Sequence, residues 1–327
     1  MLETKIIELK KTILSIKDYG FFFGIKYSFL RGRFYHRHKG MEQYISCVNG
    51  YLENFLKGQI ESYKSGVEVT VVGEESKNVW VCWWQGEETM PEWCKMCYEN
   101  LKRTIPTGYT LHLINRDNVS NYVDIPQYVY DRLNKGFLTV TQFSDILREA
   151  LLYFQGGLWI DASVWTTPNF YRFLDTNREF FSIKLGYIHR PEMVGQKISN
   201  CMWSGFFMYG KKGCLVAKFA FDGMCAYYKK HVGTIDYFIQ NFIIRIGYNN
   251  IPKIKEMIDS YPINNHSLYV LPDLVYKNAI YDSDIWNEVT SNTGVFKITQ
   301  KRKYLESVDG KKTFYGHLKE LYQQQIQ

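Results

Sequence analysis

Three ionisable side chains carry the chemistry legible in this chain. Asp145 and Arg148 lie three residues apart, and Asp161 follows thirteen residues after Arg148, all within TQFSDILREALLYFQGGLWIDASVWTT over residues 141–167. An acid and a base nearly one helical turn apart reach the same small object and can fix its hydroxyls by geometry. A lone carboxylate where a short apolar strand runs out into solvent can hold a cation or a ribose beside a phosphate. The order suits a site that grips an anionic, sugar-bearing nucleotide at the carboxyl edge of a sheet. Taken alone, an Asp-x-x-Arg reads as a weak surface ion pair, with Asp161 as a turn cap. The double glycine and apolar strand lying between them favour the pocket.

The elements that must position these groups are readable nearby. Ile146, Leu147, Ala150, Leu151 and Phe154 repeat at three- and four-residue spacing, the buried stripe of a helix that leaves Asp145 and Arg148 on another face. Thr141 and Ser144 are the expected N-terminal caps. Gly156-Gly157 stops the helix, as a positive-φ terminus requires. Leu158-Trp159-Ile160 then reads as a short buried strand, and Asp161-Ala162-Ser163 as its exit.

The run SDILR (144–148), followed by GGLWIDAS (156–163), resembles the capsular polysaccharide synthesis glycosyltransferases, relatives of glycosyltransferase family 32 with its sugar-binding region containing DXD. VWVCWWQG (79–86) with Pro91 looks like the first strand and nucleotide-contacting loop of that group. TLHLINRDN (110–118) looks like its second strand, ending in Asn115. The likeness is good over about residues 75–170, loose from 200 to 300 and absent before about 70. It implies an α/β fold: a GT-A-like, Rossmann-type mixed sheet flanked by helices. It also implies a retaining transfer from a nucleotide-diphosphate sugar to a growing polysaccharide or lipid-linked oligosaccharide. In that reading Asp145, Arg148, Asp161 and Asp236 are catalytic. Trp83, Trp84, Gln85, Gly86, Asn115, Gly156, Gly157 and Ser163 contact the donor nucleotide, and Trp203 the acceptor. The DXD pattern implies a divalent cation, Mn²⁺ or Mg²⁺, held by Asp161. Here the third position is Ser163, a neutral and weaker ligand for a hard cation. Asp161 alone, a distant acid, or cations such as Arg148 in place of the metal are the three readings this leaves.

Helices over Pro91–Arg103 and Pro126–Lys135 give the βαβ rhythm of a nucleotide-binding half. Phe180–Leu185 and Gly205–Tyr209 read as later strands, and Leu215–His231 and Ile235–Ile246 as helices. In this half Trp203 before an aromatic strand is either an acceptor platform or core, and Asp236 is either a site residue or a helix cap. His317 is either a late metal ligand or structural.

Aromatic residues make up 17% of the 327 residues, enough to line a sugar site while most fill the core. Seven cysteines at scattered spacing, an odd number, suit a reducing compartment rather than a disulfide framework. Cys94-x-x-Cys97 has no second pair and is a poor zinc site.

Residues 1–40 hold nine Lys or Arg and three acids, nearly all of the chain's +7. Ile6, Leu9, Ile13 and Ile16 recur at helical spacing, and Phe21, Phe22, Phe23, Tyr27 and Phe29 interleave with arginines. We therefore expect a basic helical extension over 1–70, ahead of a catalytic domain over 71–327. Peripheral contact with an anionic membrane and packing on that domain both fit the extension. No segment has the ~20 apolar residues of a membrane span, and no signal peptide is visible. The expected location is cytoplasmic, at the inner face of a bacterial membrane. Nucleic acid is not an expected partner, since no recognition motif accompanies the basic residues. A sugar-phosphate or phosphoryl transferase and a non-catalytic binding module are the competing readings.

Overall fold

The computed structural model describes residues 2–37, 40–66, 73–168, 170–190 and 193–324, with side chains from residue 9 onward except 35–37. Four helices lead the chain: α1 (Leu2–Tyr19), α2 (Phe21–Arg37), α3 (Met41–Phe55) and α4 (Lys57–Lys64). Gly24 lets α1 and α2 close on each other, because a Cβ there would sit 2.6 Å from Ile16 Cα. Tyr27, Phe34, Tyr44, Val48, Leu52 and Ile60 enter the same apolar core as the rest of the protein. Tyrosine hydroxyls bolt the helices down: Tyr44 donates to Asp236 at 2.7 Å and Tyr63 to Asp222 at 2.6 Å. The segment expected as an extension thus shares its core with the region beyond residue 70.

There follow β1 (Asn78–Cys82), α5 (Glu92–Thr104), β2 (Thr110–Ile114), α6 (Gln127–Asn134), α7 (Val140–Phe154), β3 (Gly157–Ile160), β4 (Val164–Thr166) and β5 (Phe180–Ser182). The chain continues through α8 (Val194–Ser199), β6 (Phe207–Gly210), α9 (Leu215–Lys230), α10 (Ile239–Asn250), α11 (Pro252–Asp259), α12 (Val270–Tyr276), α13 (Ser283–Asn292), β7 (Val295–Lys297) and α14 (Phe314–Gln323). The expected α/β fold is present as a five-stranded mixed sheet in the order β2-β1-β3-β6-β5, flanked by helices. β1 runs parallel to β2 and β3, while β6 is antiparallel to β3 and β5. All four residues of β3 are buried, as in a strand covered on both faces.

Two local expectations need correction. Thr141 and Ser144 lie inside α7; its N-cap is Thr139, whose hydroxyl accepts from Gln142 N while Gln142 Oε1 accepts from Thr139 N. The helix expected from Ile235 begins at Ile239, because Asp236 Oδ1 accepts from Phe238 N at 2.7 Å and holds the preceding turn.

A second core joins Trp93 and Met96 of α5 to Trp165 of β4, Phe296 of β7, and Leu271, Phe314 and Leu318 of the C-terminal helices. It carries β7 against β4 in antiparallel register, pairing Lys297 with Val164, Phe296 with Trp165 and Val295 with Thr166. Alternation along β7 buries Phe296 in the second core and turns Val295 and Lys297 the other way. A residue near the C-terminus is thereby delivered to the end of β3.

Candidate active site

Asp145, Arg148 and Asp161 converge. α7 delivers the first two, and β3 drops Asp161 at the sheet edge where β1, β2 and β3 all end. Arg148 Nη1 donates to Asp145 Oδ1 at 2.9 Å, and Nη2 to Asp161 Oδ1 at 3.4 Å. The guanidinium lies over the Trp159 ring, 4.9 Å from its centroid. Trp159 Nε1 donates to Asp161 Oδ1 at 2.8 Å. From the other side Lys297 Nζ donates to Asp161 Oδ2 and to Ser163 Oγ, each at 2.7 Å.

Behind this layer lies a buried chain. Arg148 Nη1 also donates to Gln240 Oε1 at 2.6 Å, and Gln240 Nε2 donates to Glu149 Oε1. Arg148 is 4% exposed and Glu149 fully buried, so the guanidinium is clamped from α7, α10 and β3 at once. Gly205 makes room for the clamp: a Cβ there would lie 3.1 Å from both Arg148 Nη1 and Gln240 Oε1.

The carboxylates are driven apart in acidity. Burial alone would raise Asp161, but Lys297, Arg148 and the hydrogen bonds from Lys297 and Trp159 prevail and hold it at about 2. Burial pushes Asp145 up to about 6 against the pull of Arg148, helped by the negative charge of Asp161. Burial lifts Glu149 to about 8. At neutral pH Asp161 is a fixed anion, Asp145 titrates nearby, and Glu149 is mostly protonated.

The rim is partly as expected. β1 ends beside β3 at Cys82, whose thiol is raised to about 12 by burial first and then by the Asp161 charge. Trp83 and Trp84 follow Cys82. Trp83 Nε1 donates to Thr89 Oγ1 at 2.9 Å, and Trp84 lies against Phe143 with centroids 4.6 Å apart. Both keep partial exposure, Gln85 is exposed, and Gly86 turns the loop at φ +96°. Tyr237 is 49% exposed, and burial together with the charges of Asp145 and Asp161 raises its phenol.

Other expected site residues serve elsewhere. Gly156 and Gly157 sit at the opposite end of β3 from Asp161. At φ +68° and +113° they allow close backbone contact, with a Cβ at 157 only 2.4 Å from Asn78 O. Asn115 builds its own turn, its Oδ1 accepting from Asp117 N at 2.9 Å and Asn118 N at 3.1 Å. Asp236 is buried, held by Tyr44 and by the turn before α10. Trp203 is 2% exposed, packs in the core and donates to Asn241 Oδ1 at 3.3 Å. His317 stacks on Tyr281 with centroids 4.0 Å apart. Cys94 and Cys97 are buried free thiols, pushed upward by burial.

A divalent cation fits poorly here. Mg²⁺ and Mn²⁺ take about six oxygen donors at close to 2 Å, one or two of them carboxylate and the rest water or phosphate, and they need room free of a competing cation. Asp161 supplies one carboxylate, Ser163 a neutral hydroxyl, and an ammonium already bridges the two. Among the described residues no group of three or more His, Cys, Asp or Glu is arranged to hold a metal.

Lys297 was beyond sequence reasoning, since 136 residues separate it from Asp161 and only the β4–β7 pairing joins them. Gln240 and Glu149 carried no motif either. Gly205, two residues after Trp203, leaves the space that Arg148 and Gln240 fill.

A charged cluster at the carboxyl ends of parallel strands is where α/β sheets commonly bind nucleotides. The chain belongs to the capsular polysaccharide synthesis protein family, matching it over residues 31–318. That match takes in α3 and α4, well before residue 70. The chain is also similar to the O-glycosyltransferase braB of Annulohypoxylon truncatum, 35% identical over 94 residues, 26% of this chain and 22% of that protein. It is 28% identical over 96 residues to the O-glycosyltransferase PaGT of Phomopsis amygdali, covering 27% of this chain and 24% of that protein. The likeness thus spans about a quarter of each relative's length. No solved structure matches the chain significantly.

Proposed function

We propose that this protein is a glycosyltransferase that moves a sugar from a nucleotide-diphosphate donor to a glycan or lipid-linked acceptor. One observation carries the reading: Asp145 and Arg148, three residues apart, meet Asp161, thirteen residues further on, at the sheet edge with Lys297. Family membership and the printed names of the two relatives support it. The Asp145–Arg148 pair positions donor hydroxyls, Asp161 orients the cations and the ribose, and the Trp83–Trp84 loop receives the base. The other carboxylate of the cluster, Asp145, is tied to Arg148, so among the described residues none stands free beside Asp161 as a covalent nucleophile. Transfer with retention then proceeds on one face of the sugar. The C1–O bond to the β-phosphate breaks as the acceptor oxygen bonds C1, and the acceptor proton passes to the departing phosphate oxygen.

The acceptor meets the enzyme at an anionic bilayer. Leu9, Ile13, Phe21, Phe22 and Phe29 are each more than half exposed on α1 and α2, interspersed with exposed Lys10, Lys11, Lys17 and Lys26. That combination binds interfacially, by apolar insertion plus ~1 kcal/mol per basic residue near the surface. No helix of the described residues is long and apolar enough to cross a membrane.

A thermal-shift panel of nucleotide sugars tests the reading, because a specific ligand raises the melting temperature by mass action. At least one donor should raise it; a flat response to every donor contradicts the assignment.

A further inference from the structure

We propose that Lys297 takes the place of the divalent cation, serving as a built-in countercharge for the donor's diphosphate, so that the enzyme works without metal. The inference rests on the glycosyltransferase reading and concerns the same site. Lys297 Nζ lies 2.7 Å from both Asp161 Oδ2 and Ser163 Oγ, spanning the first and third positions of the Asp161-Ala162-Ser163 turn. The ammonium occupies the space between the side-chain oxygens of these two positions. With serine at the third position, an ammonium satisfies both ligands: it donates to the carboxylate and to the hydroxyl and carries the charge that the missing acid would otherwise demand of a metal.

The backbone of Lys297 is held firmly and its head is not. β7 is registered on β4 by three residue pairs, and Phe296 and Ile298 on either side of Lys297 are buried in the second core. The lysine side chain keeps 29% exposure, so its ammonium can turn from Asp161 toward an arriving phosphate. Lysine is suited to this work as a compact, strongly charged phosphate donor. Arg148 complements it: clamped by Asp145, Gln240 and Asp161, it stays put and supplies a second, immobile positive charge. As the C1–O bond breaks, negative charge grows on the β-phosphate, and a fixed cation at that point stabilises the change. The acceptor's proton leaves with the nucleoside diphosphate.

The test is isothermal titration of the full chain with UDP, GDP, ADP and CDP, in EDTA and in excess Mn²⁺. The tightest diphosphate should bind equally well in both, within about threefold, and Lys297→Met should weaken it by about tenfold or more. Lys297→Arg keeps the charge and should hold affinity within about fivefold. The double variant Ser163→Asp with Lys297→Ala recreates a two-carboxylate turn without the ammonium, and its binding should become Mn²⁺-dependent. Binding that collapses in EDTA in the unmodified protein, or that is indifferent to Lys297→Met in a folded variant, overturns the inference and leaves the glycosyltransferase reading standing. Failure of every diphosphate to bind under both conditions overturns that reading instead, and this inference with it.

Discussion

The two ends of β3 lie only four residues apart and do opposite work. At its carboxyl end Asp161 is surrounded by Arg148, Trp159 and Lys297, and the local geometry answers to charge. At its amino end Gly156 and Gly157 are pressed against Lys212 and Asn78 backbone, and the geometry answers to volume and φ. One contiguous motif therefore holds both a chemical device and a packing device. The resemblance in sequence does not separate them, because both ends are equally distinctive as letters. The difference teaches that a motif should be read by what each side chain touches.

Substitutions can break or sharpen that contrast. The largest structural effect should come from Gly157→Ala, which combines a strained φ with a 2.4 Å overlap on Asn78 O. We expect a loss of about 3 kcal/mol or more, a drop of about 4 °C or more in melting temperature. Turnover per folded molecule should be unchanged; a selective loss of turnover would erase the distinction between the ends. On the chemical side, Gly205→Ala pushes a methyl against Arg148 and Gln240. Steady-state kinetics should show kcat lowered about tenfold, with stability altered by less than about 1 kcal/mol.

Glu149 gives a pH signature. Its carboxyl sits near 8 when folded, against 4.5 ordinarily, so the folded chain retains a proton that the unfolded chain releases. Its contribution is therefore most favourable below about pH 4.5, and stability declines as pH rises toward 8. Glu149→Gln should melt close to the unmodified protein at pH 5 and a few degrees above it at pH 9, in melts followed by circular dichroism. Parallel curves for the two proteins would show that Glu149 is ionised in the fold. The smallest effect should come from Trp203→Phe, which loses the bond to Asn241 and costs about 1 kcal/mol, with KM for acceptor unchanged. A raised acceptor KM would return Trp203 to the site.

Much of this arrangement was legible in the sequence, and the reasons for the exceptions are physical. Helix α7, strand β3 and the Asp161 exit follow from local periodicity and glycine placement, and Asp145 with Arg148 from the spacing of one helical turn. Lys297 was invisible because its position depends on a second core built by α5, α12 and α14, whose assembly no local pattern announces. For Asp236 and Trp203 the same residue types serve turns, cores and sites alike, and their partners Tyr44 and Asn241 lie too far away in sequence to be foreseen. α3 and α4, on the near side of the boundary drawn around residue 70, contribute to the main core through packing that no local pattern announces. The charge of residues 1–40 said nothing about which apolar faces turn inward.

The central claim is that the convergence on Asp161 performs sugar transfer from a nucleotide-diphosphate donor. The direct measurement is identification of the nucleotide released from a panel of donors by the intact protein and by Asp161→Asn. Free nucleoside diphosphate is expected from the intact protein, and release at least about a thousandfold slower from the folded variant. Release of nucleoside monophosphate, or undiminished turnover in Asp161→Asn, would contradict that claim.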